Sequence, residues 1–148
     1  MIYAGEFSGT LLLRPDPDLN YSATQSVNIV VKQNGSILAI KKIENIDKIV
    51  QYFNILYEYN NFVDPVYLII KNLSKDDQFN RDNPIEFIEI KIDNLYNAKK
   101  LVMNGKIFKN NQLVDTGNFL YDTGELIYEF KLPIFQNLLT KYETKSHY

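Results

Sequence analysis

The triplet Asp-Thr-Gly occurs twice, at 115–117 and 122–124, inside LVDTGNFLYDTGEL (113–126). Two aspartates can act together as acid and base when their carboxyl groups lie about 3 Å apart and share one proton. A second pair of acids, Glu86 and Glu89, lies in PIEFIEIKI, and carboxylates about 5–9.5 Å apart across a cleft can hydrolyse a glycosidic bond. Spacing forces neither pair together, because strand residues at odd separation face opposite sides. Other reactive groups are few: the chain has no cysteine and one histidine, His147, next to the C-terminus. That composition gives no thiol nucleophile, no thiolate zinc site and no well-placed imidazole base. Asp16-x-Asp18-x-Asn20 copies the first half of a calcium loop, but Tyr21 stands where that loop needs glycine and Val27 where it needs glutamate. Gly5 and Gly9 are followed by no Lys-Ser/Thr pair of the kind that cradles a nucleotide phosphate.

Leu113-Val114-Asp115-Thr116-Gly117 resembles the active-site strand of the aspartic proteases over five residues. The resemblance implies a second aspartate from another lobe or subunit and a barrel after the triplet. Only 31 residues follow Gly117, and two triplets seven residues apart do not make two lobes. The alternative is conformational. Aspartate accepts hydrogen bonds in tight turns and glycine supplies the left-handed residue, so each triplet is expected to be a three-residue hairpin loop in a strand–turn–strand–turn–strand meander.

The elements that would carry these residues follow from periodicity. Residues 2–13 read as a strand ended by Pro15 and Pro17. In VNIVVKQNGSILAIKK (27–42), Asn34-Gly35 suits a two-residue type I′ turn that pairs Lys32 with Ile37, Val31 with Leu38 and Ile29 with Ile40. Residues 66–73 read as a buried strand. In 84–92 the alternation slips at Phe87-Ile88, which predicts either a bulge or a strand buried on both faces at its start. Asp93 is placed as the cap of a short helix reaching Met103, and short strands then run from 105 to 130. Pro133 opens a last helix with Ile134, Phe135, Leu138, Leu139 and Tyr142 on one arc.

Residues 46–60 are expected to be a helix, because Ile46, Ile49, Val50, Phe53, Leu56 and Tyr57 recur at spacings of three and four. On that helix Tyr52, Ile55 and Tyr59 form a second apolar stripe, which is either core or a partner-contact face. The expected architecture is therefore α+β: one domain over 1–148, with a mainly antiparallel sheet of about six to eight strands and two or three helices packed on it.

Composition limits the function classes. The chain is 148 residues long with a net charge of −2, and it has 16 Lys and Arg against 18 Asp and Glu. Neither half is charged strongly enough to demand a polyanion. Lys99, Lys100, Lys106 and Lys109 near Tyr96 and Phe108 are the only basic–aromatic cluster that could grip single strands, and nucleic acid is not the expected partner. No 18-residue apolar run and no signal peptide are present, so a cytoplasmic location is expected. The abundance of Asn, Ile, Lys and Tyr with only two arginines reads as an AT-rich bacterial or phage genome. No catalytic residue, cofactor or metal ligand is assigned. The expected function is non-enzymatic binding of another protein, of inhibitor, immunity or adaptor type, through Tyr52, Ile55 and Tyr59. The alternatives are a small-ligand domain with an aromatic-lined pocket and, third, a carboxylate-dependent hydrolase.

Overall fold

The computed structural model of the chain describes residues 3–14, 24–59, 61, 63–72, 84–92, 96–97, 105–121 and 124–130. Every regular element among them is a strand: β1 Tyr3–Leu13, β2 Gln25–Gln33, β3 Ser36–Ile46, β4 Gln51–Tyr59, β5 Val66–Asn72, β6 Ile85–Ile92, β7 Tyr96–Asn97, β8 Gly105–Lys109, β9 Gln112–Gly117, β10 Phe119–Leu120 and β11 Glu125–Phe130. The α+β expectation is overturned, and the described residues are all-β. The helix expected over 46–60 is β4, rich in aromatic and β-branched residues that fit a pleated surface. The helix expected from Asp93 is contradicted at Tyr96–Asn97, which pair with β6. The helix expected after Pro133 lies outside the described residues. None of the described residues form a helix long and apolar enough to cross a membrane.

The strands make two antiparallel sheets. One runs β10-β6-β1-β4 with β7 also on β6, and the other runs β3-β2-β5-β11-β8-β9. Alternation explains how they face one another. Val27, Ile29 and Val31 of β2, Val66, Leu68 and Ile70 of β5, and Leu126, Tyr128 and Phe130 of β11 are all buried, and their odd-phase neighbours are not. They share one core with Phe7 and Leu11 of β1 and Phe53, Ile55, Tyr57 and Tyr59 of β4. The Phe7 ring joins the sheets, 5.0 Å from Tyr57 and 4.8 Å from Phe130 by ring centroids. Two buried amides close the ends of β2. Gln25 accepts from Asn72 at 2.6 Å, and Gln33 donates to the carbonyls of Asn61 and Asp64 at 2.9 and 3.0 Å.

Two expectations about register have instructive outcomes. The Asn34-Gly35 turn is present with φ of 49° and 76°, and Lys32 pairs with Ile37 as expected. One residue further on a bulge intervenes, so Val31 faces Ala39 and Ile29 faces Lys41 rather than Leu38 and Ile40. The bulge expected at Phe87-Ile88 is present: Leu11 pairs with Phe87 and Thr10 with Glu89, leaving Ile88 as the extra residue. Its effect is to keep Ile85, Phe87 and Ile90 all in the core despite the broken alternation.

Where the chain crosses from one sheet to the other, Asn118 ties both. Its carbonyl accepts from the Phe87 amide at 2.8 Å, and its side-chain oxygen accepts from the Tyr128 hydroxyl at 2.8 Å. Burial pushes the Tyr128 hydroxyl above its ordinary value near 10. The folded state therefore keeps the neutral phenol, and unfolding releases one that ionises at its ordinary pKa. Its contribution to stability is complete below about pH 10 and falls above it, by up to about 1.4 kcal/mol per pH unit. Urea unfolding at pH 9, 10 and 11 should show a steeper alkaline loss for the native chain than for Tyr128→Phe. Equal slopes refute the assignment.

Candidate functional site

The segment joining the two sheets at one edge is built to present apolar side chains. β3 ends one sheet and β4 ends the other, with residues 47–50 between them. Asp47 fixes this link twice: its carbonyl accepts from the Leu13 amide at 2.7 Å, and its carboxylate accepts from the Ile49 amide at 2.8 Å. Held in this way, Ile49 is 74% exposed, and Val50 also faces outward. Tyr52 and Leu56 then follow on the outward phase of β4, 62% and 67% exposed. Between them Asn54 receives the Lys41 ammonium on both its backbone carbonyl, at 2.7 Å, and its side-chain oxygen, at 3.0 Å. Lys41 thus spans from β3 to β4 across the open side of the sandwich, and a lysine on an edge strand also discourages pairing with another chain.

Strand geometry separates the three residues expected to form one contact stripe. Tyr52 faces outward, while Ile55 and Tyr59 are 3% and 4% exposed and belong to the core. Tyr59 packs against Tyr57 with centroids 5.7 Å apart. A helix would have placed all three on one arc, whereas a period of two puts position 52 on the opposite face from 55 and 59. Ile49, Val50 and Leu56, which the helical reading assigned to the core, are exposed like Tyr52 instead. The signal that could have found them is the alternation Phe53, Ile55, Tyr57, Tyr59, which leaves 52 and 56 outside.

Three of the acidic candidates, Glu86, Glu89 and Asp115, have partners among the described residues. Glu86 takes the Arg14 guanidinium at 2.6 Å and Glu89 the Lys91 ammonium at 3.4 Å. The first Asp-Thr-Gly is the end of β9 rather than a hairpin loop: Lys106 pairs with Thr116 and Gly105 with Gly117. Asp115 accepts from the Thr116 amide at 2.8 Å. Gly117, at φ 149°, occupies a conformation open to glycine as the chain leaves for β10. The expected meander is also corrected, since β10 joins the other sheet and β8 stands between β9 and β11. In the second triplet Asp122 lies outside the described residues, and the Gly124 amide reaches the Tyr121 carbonyl at 3.3 Å. Lys106 and Lys109 lie on β8, whereas Lys99, Lys100, Asp16, Asp18, Asn20 and His147 lie outside the described residues. Among the described residues no three His, Cys, Asp or Glu side chains converge.

A cleft of about 370 Å³ opens where β2 turns into β3, lined by Gln33, Asn34, Ser36, Leu38, Glu58, Tyr59 and Asn61. Its lining mixes three amides, the Glu58 carboxylate and the Ser36 hydroxyl with Leu38 and one aromatic ring, Tyr59. The Asn61 carboxamide oxygen accepts from the amides of Val63 and Asp64, both at 3.0 Å, so this wall is a pinned turn. Compared with protein-family models, with curated proteins and with solved structures, the chain matches none of them.

Proposed function

We propose that this chain is a non-enzymatic protein-binding module whose contact face is Ile49, Val50, Tyr52 and Leu56. The observation that supports this reading is a set of large exposed apolar side chains at one sheet edge, Ile49 and Val50 in the link that Asp47 ties and Tyr52 and Leu56 on the outward phase of β4. Singly exposed apolar residues are ordinary, but four large ones within eight residues of one edge, with Asn54 and Lys41 among them, are the kind of grouping that an interaction site uses. Tyr52 suits the centre of such a face, since its ring packs while its hydroxyl tolerates water. The group carries no arginine, and the chain's net charge is −2, so a protein suits it better than a nucleic acid. An inhibitor, immunity or adaptor role in a bacterial or phage cytoplasm accords with the composition.

The test is capture from a lysate of the source organism, with the native chain and Tyr52→Ser/Leu56→Ser as paired baits. The double variant should recover the same partner at least about tenfold less well, because truncating central contact residues typically costs more than 1 kcal/mol each. Its thermal midpoint should stay within a few degrees of the native one, since exposed substitutions change stability by about 0.5 kcal/mol or less. Equal capture by both baits removes this face from the function.

A further inference from the structure

We infer that the cleft beside the β2–β3 turn is a binding site for a neutral, hydroxyl-rich ligand, a saccharide. The cleft shares no residue with the Ile49–Leu56 group, and the inference does not rest on that reading.

Its volume of about 370 Å³ lies within the range of about 300–1,000 Å³ typical of small-molecule sites. One wall holds a buried amide, Gln33, which is 4% exposed. The orientation of that amide is set by its surroundings. Its Nε2 faces three oxygens: the Asn61 carbonyl at 2.9 Å, the Asp64 carbonyl at 3.0 Å and the Asn61 Oδ1 at 3.3 Å. Gln33 Oε1 is therefore a placed acceptor. Asn61 is the reverse case. Its Oδ1 already accepts from Gln33 and from the amides of Val63 and Asp64, so it has only the two Nδ2 hydrogens left to offer. Glu58, exposed on the outward phase of β4, adds a carboxylate. Among the described residues, no hydrogen bond or ion pair engages Gln33 Oε1, Asn61 Nδ2 or the Glu58 carboxylate. A fixed acceptor that the protein leaves unmet gains from a donor that a ligand brings.

These groups select the class of ligand by elimination. An anion would meet the Glu58 carboxylate and bring no donor for Gln33 Oε1, and no lysine or arginine lines the cleft to hold it. An ammonium would suit Glu58 and Gln33 but face the N–H groups of Asn61. A flat aromatic ring would find no open ring to stack on, since Tyr59, the one aromatic side chain in the lining, is 4% exposed. A hydroxyl group both donates and accepts, so a ligand with several neighbouring hydroxyls satisfies the acceptors and the donor together. The Gln33–Asn61 contact sets the fixed acceptor and the fixed donor on adjoining carboxamides. Asn34 and Ser36 add groups that serve in either sense, and Leu38 gives an apolar wall for the C–H face of a sugar ring.

The test is a titration of the full chain, followed by amide NMR. The probes are methyl glycosides of the common hexoses, pentoses and N-acetylhexosamines, and trisaccharides of the same sugars. Diaminobutane and inorganic phosphate serve as cationic and anionic controls. At least one glycoside should give saturable shifts centred on residues 33–38 and 58–64, with the millimolar Kd expected of so small a ligand. Glu58→Ala should weaken that binding about tenfold, the usual effect of losing a hydrogen bond to a charged group. Gln33→Met should weaken it by at least as much. Glu58 is exposed, so its variant keeps the test valid if Gln33→Met loosens the 61–64 turn, and circular dichroism separates lost binding from lost folding. A trisaccharide that binds more than about fivefold tighter than its monomer identifies a glycan chain as the source, and equal affinity identifies a free sugar. Three results overturn the inference: no sugar saturates these signals up to 100 mM, diaminobutane or phosphate binds there more tightly than every sugar, or sugar binding is indifferent to Glu58→Ala.

Discussion

Gly9→Ala should destabilise the protein by about 3 kcal/mol, at the upper end of what overpacking a core usually costs. β1 is a central strand, paired with β4 on one side and β6 on the other, and Gly9 sits between Phe53 and Ile90. A methyl group there would collide with the Glu89 carbonyl oxygen and stand 2.9 Å from the Phe53 ring. A ring can tilt, but the carbonyl belongs to β6 beside the Ile88 bulge and is fixed by its ladder. Accommodating the methyl group therefore requires two strands to separate. In a chain of this size the loss should appear as a fall of about 6–12 °C in Tm and a lower urea midpoint. A cost below about 1 kcal/mol would mean that β6 yields there, and that the close approach of the two backbones is not a requirement of the fold.

Phe7→Ala is the second large effect, expected at about 4 kcal/mol. Phe7 is fully buried and touches Tyr57 of its own sheet and Phe130 of the other. Removing the ring takes away its transfer energy and leaves a cavity between two sheets that backbone pairing prevents from collapsing. Aromatic pairs contribute about 0.5–1.5 kcal/mol each beyond area burial, so the double variant Phe7→Ala/Phe130→Ala should lose less than the sum of the two singles. Strict additivity would show that the two rings do not act as one bridge. Against a typical total of about 5–15 kcal/mol, either Gly9→Ala or Phe7→Ala brings the domain close to its limit of stability.

Much of the sheet was legible in the sequence where one face is buried and the other wet. The hairpin at Asn34-Gly35 and the bulge at Ile88 follow from turn chemistry and from a broken alternation, both local signals. The register beyond Lys32 was not legible, because an extra residue in β3 leaves the apolar pattern almost as well matched as before. β4 misled because both of its faces carry large apolar groups. Tyr52 and Leu56 outside, added to Phe53 and Tyr57 inside, imitate spacings of three and four. That ambiguity also scattered the candidate site, since Ile49, Val50 and Leu56 were read as core, and Tyr52, Ile55 and Tyr59 as one stripe open to core or contact. The first Asp-Thr-Gly was read as a hairpin loop, but its actual place, ending β9 where the chain leaves for the opposite sheet, depends on pairings that no short window contains.

The position of β5 has a consequence for synthesis. It pairs with β2 on one side and with β11 on the other. The first partner has already been made when β5 emerges from the ribosome. The second is complete only at Phe130, 58 residues after Asn72. At about 5–20 residues per second, translation leaves that flank open for roughly 3–12 s. During that interval the nascent chain presents Val66, Leu68 and Ile70 on an unfinished hydrogen-bonding edge. Until β11 arrives, chaperones and neighbouring polypeptides compete for the place it will occupy.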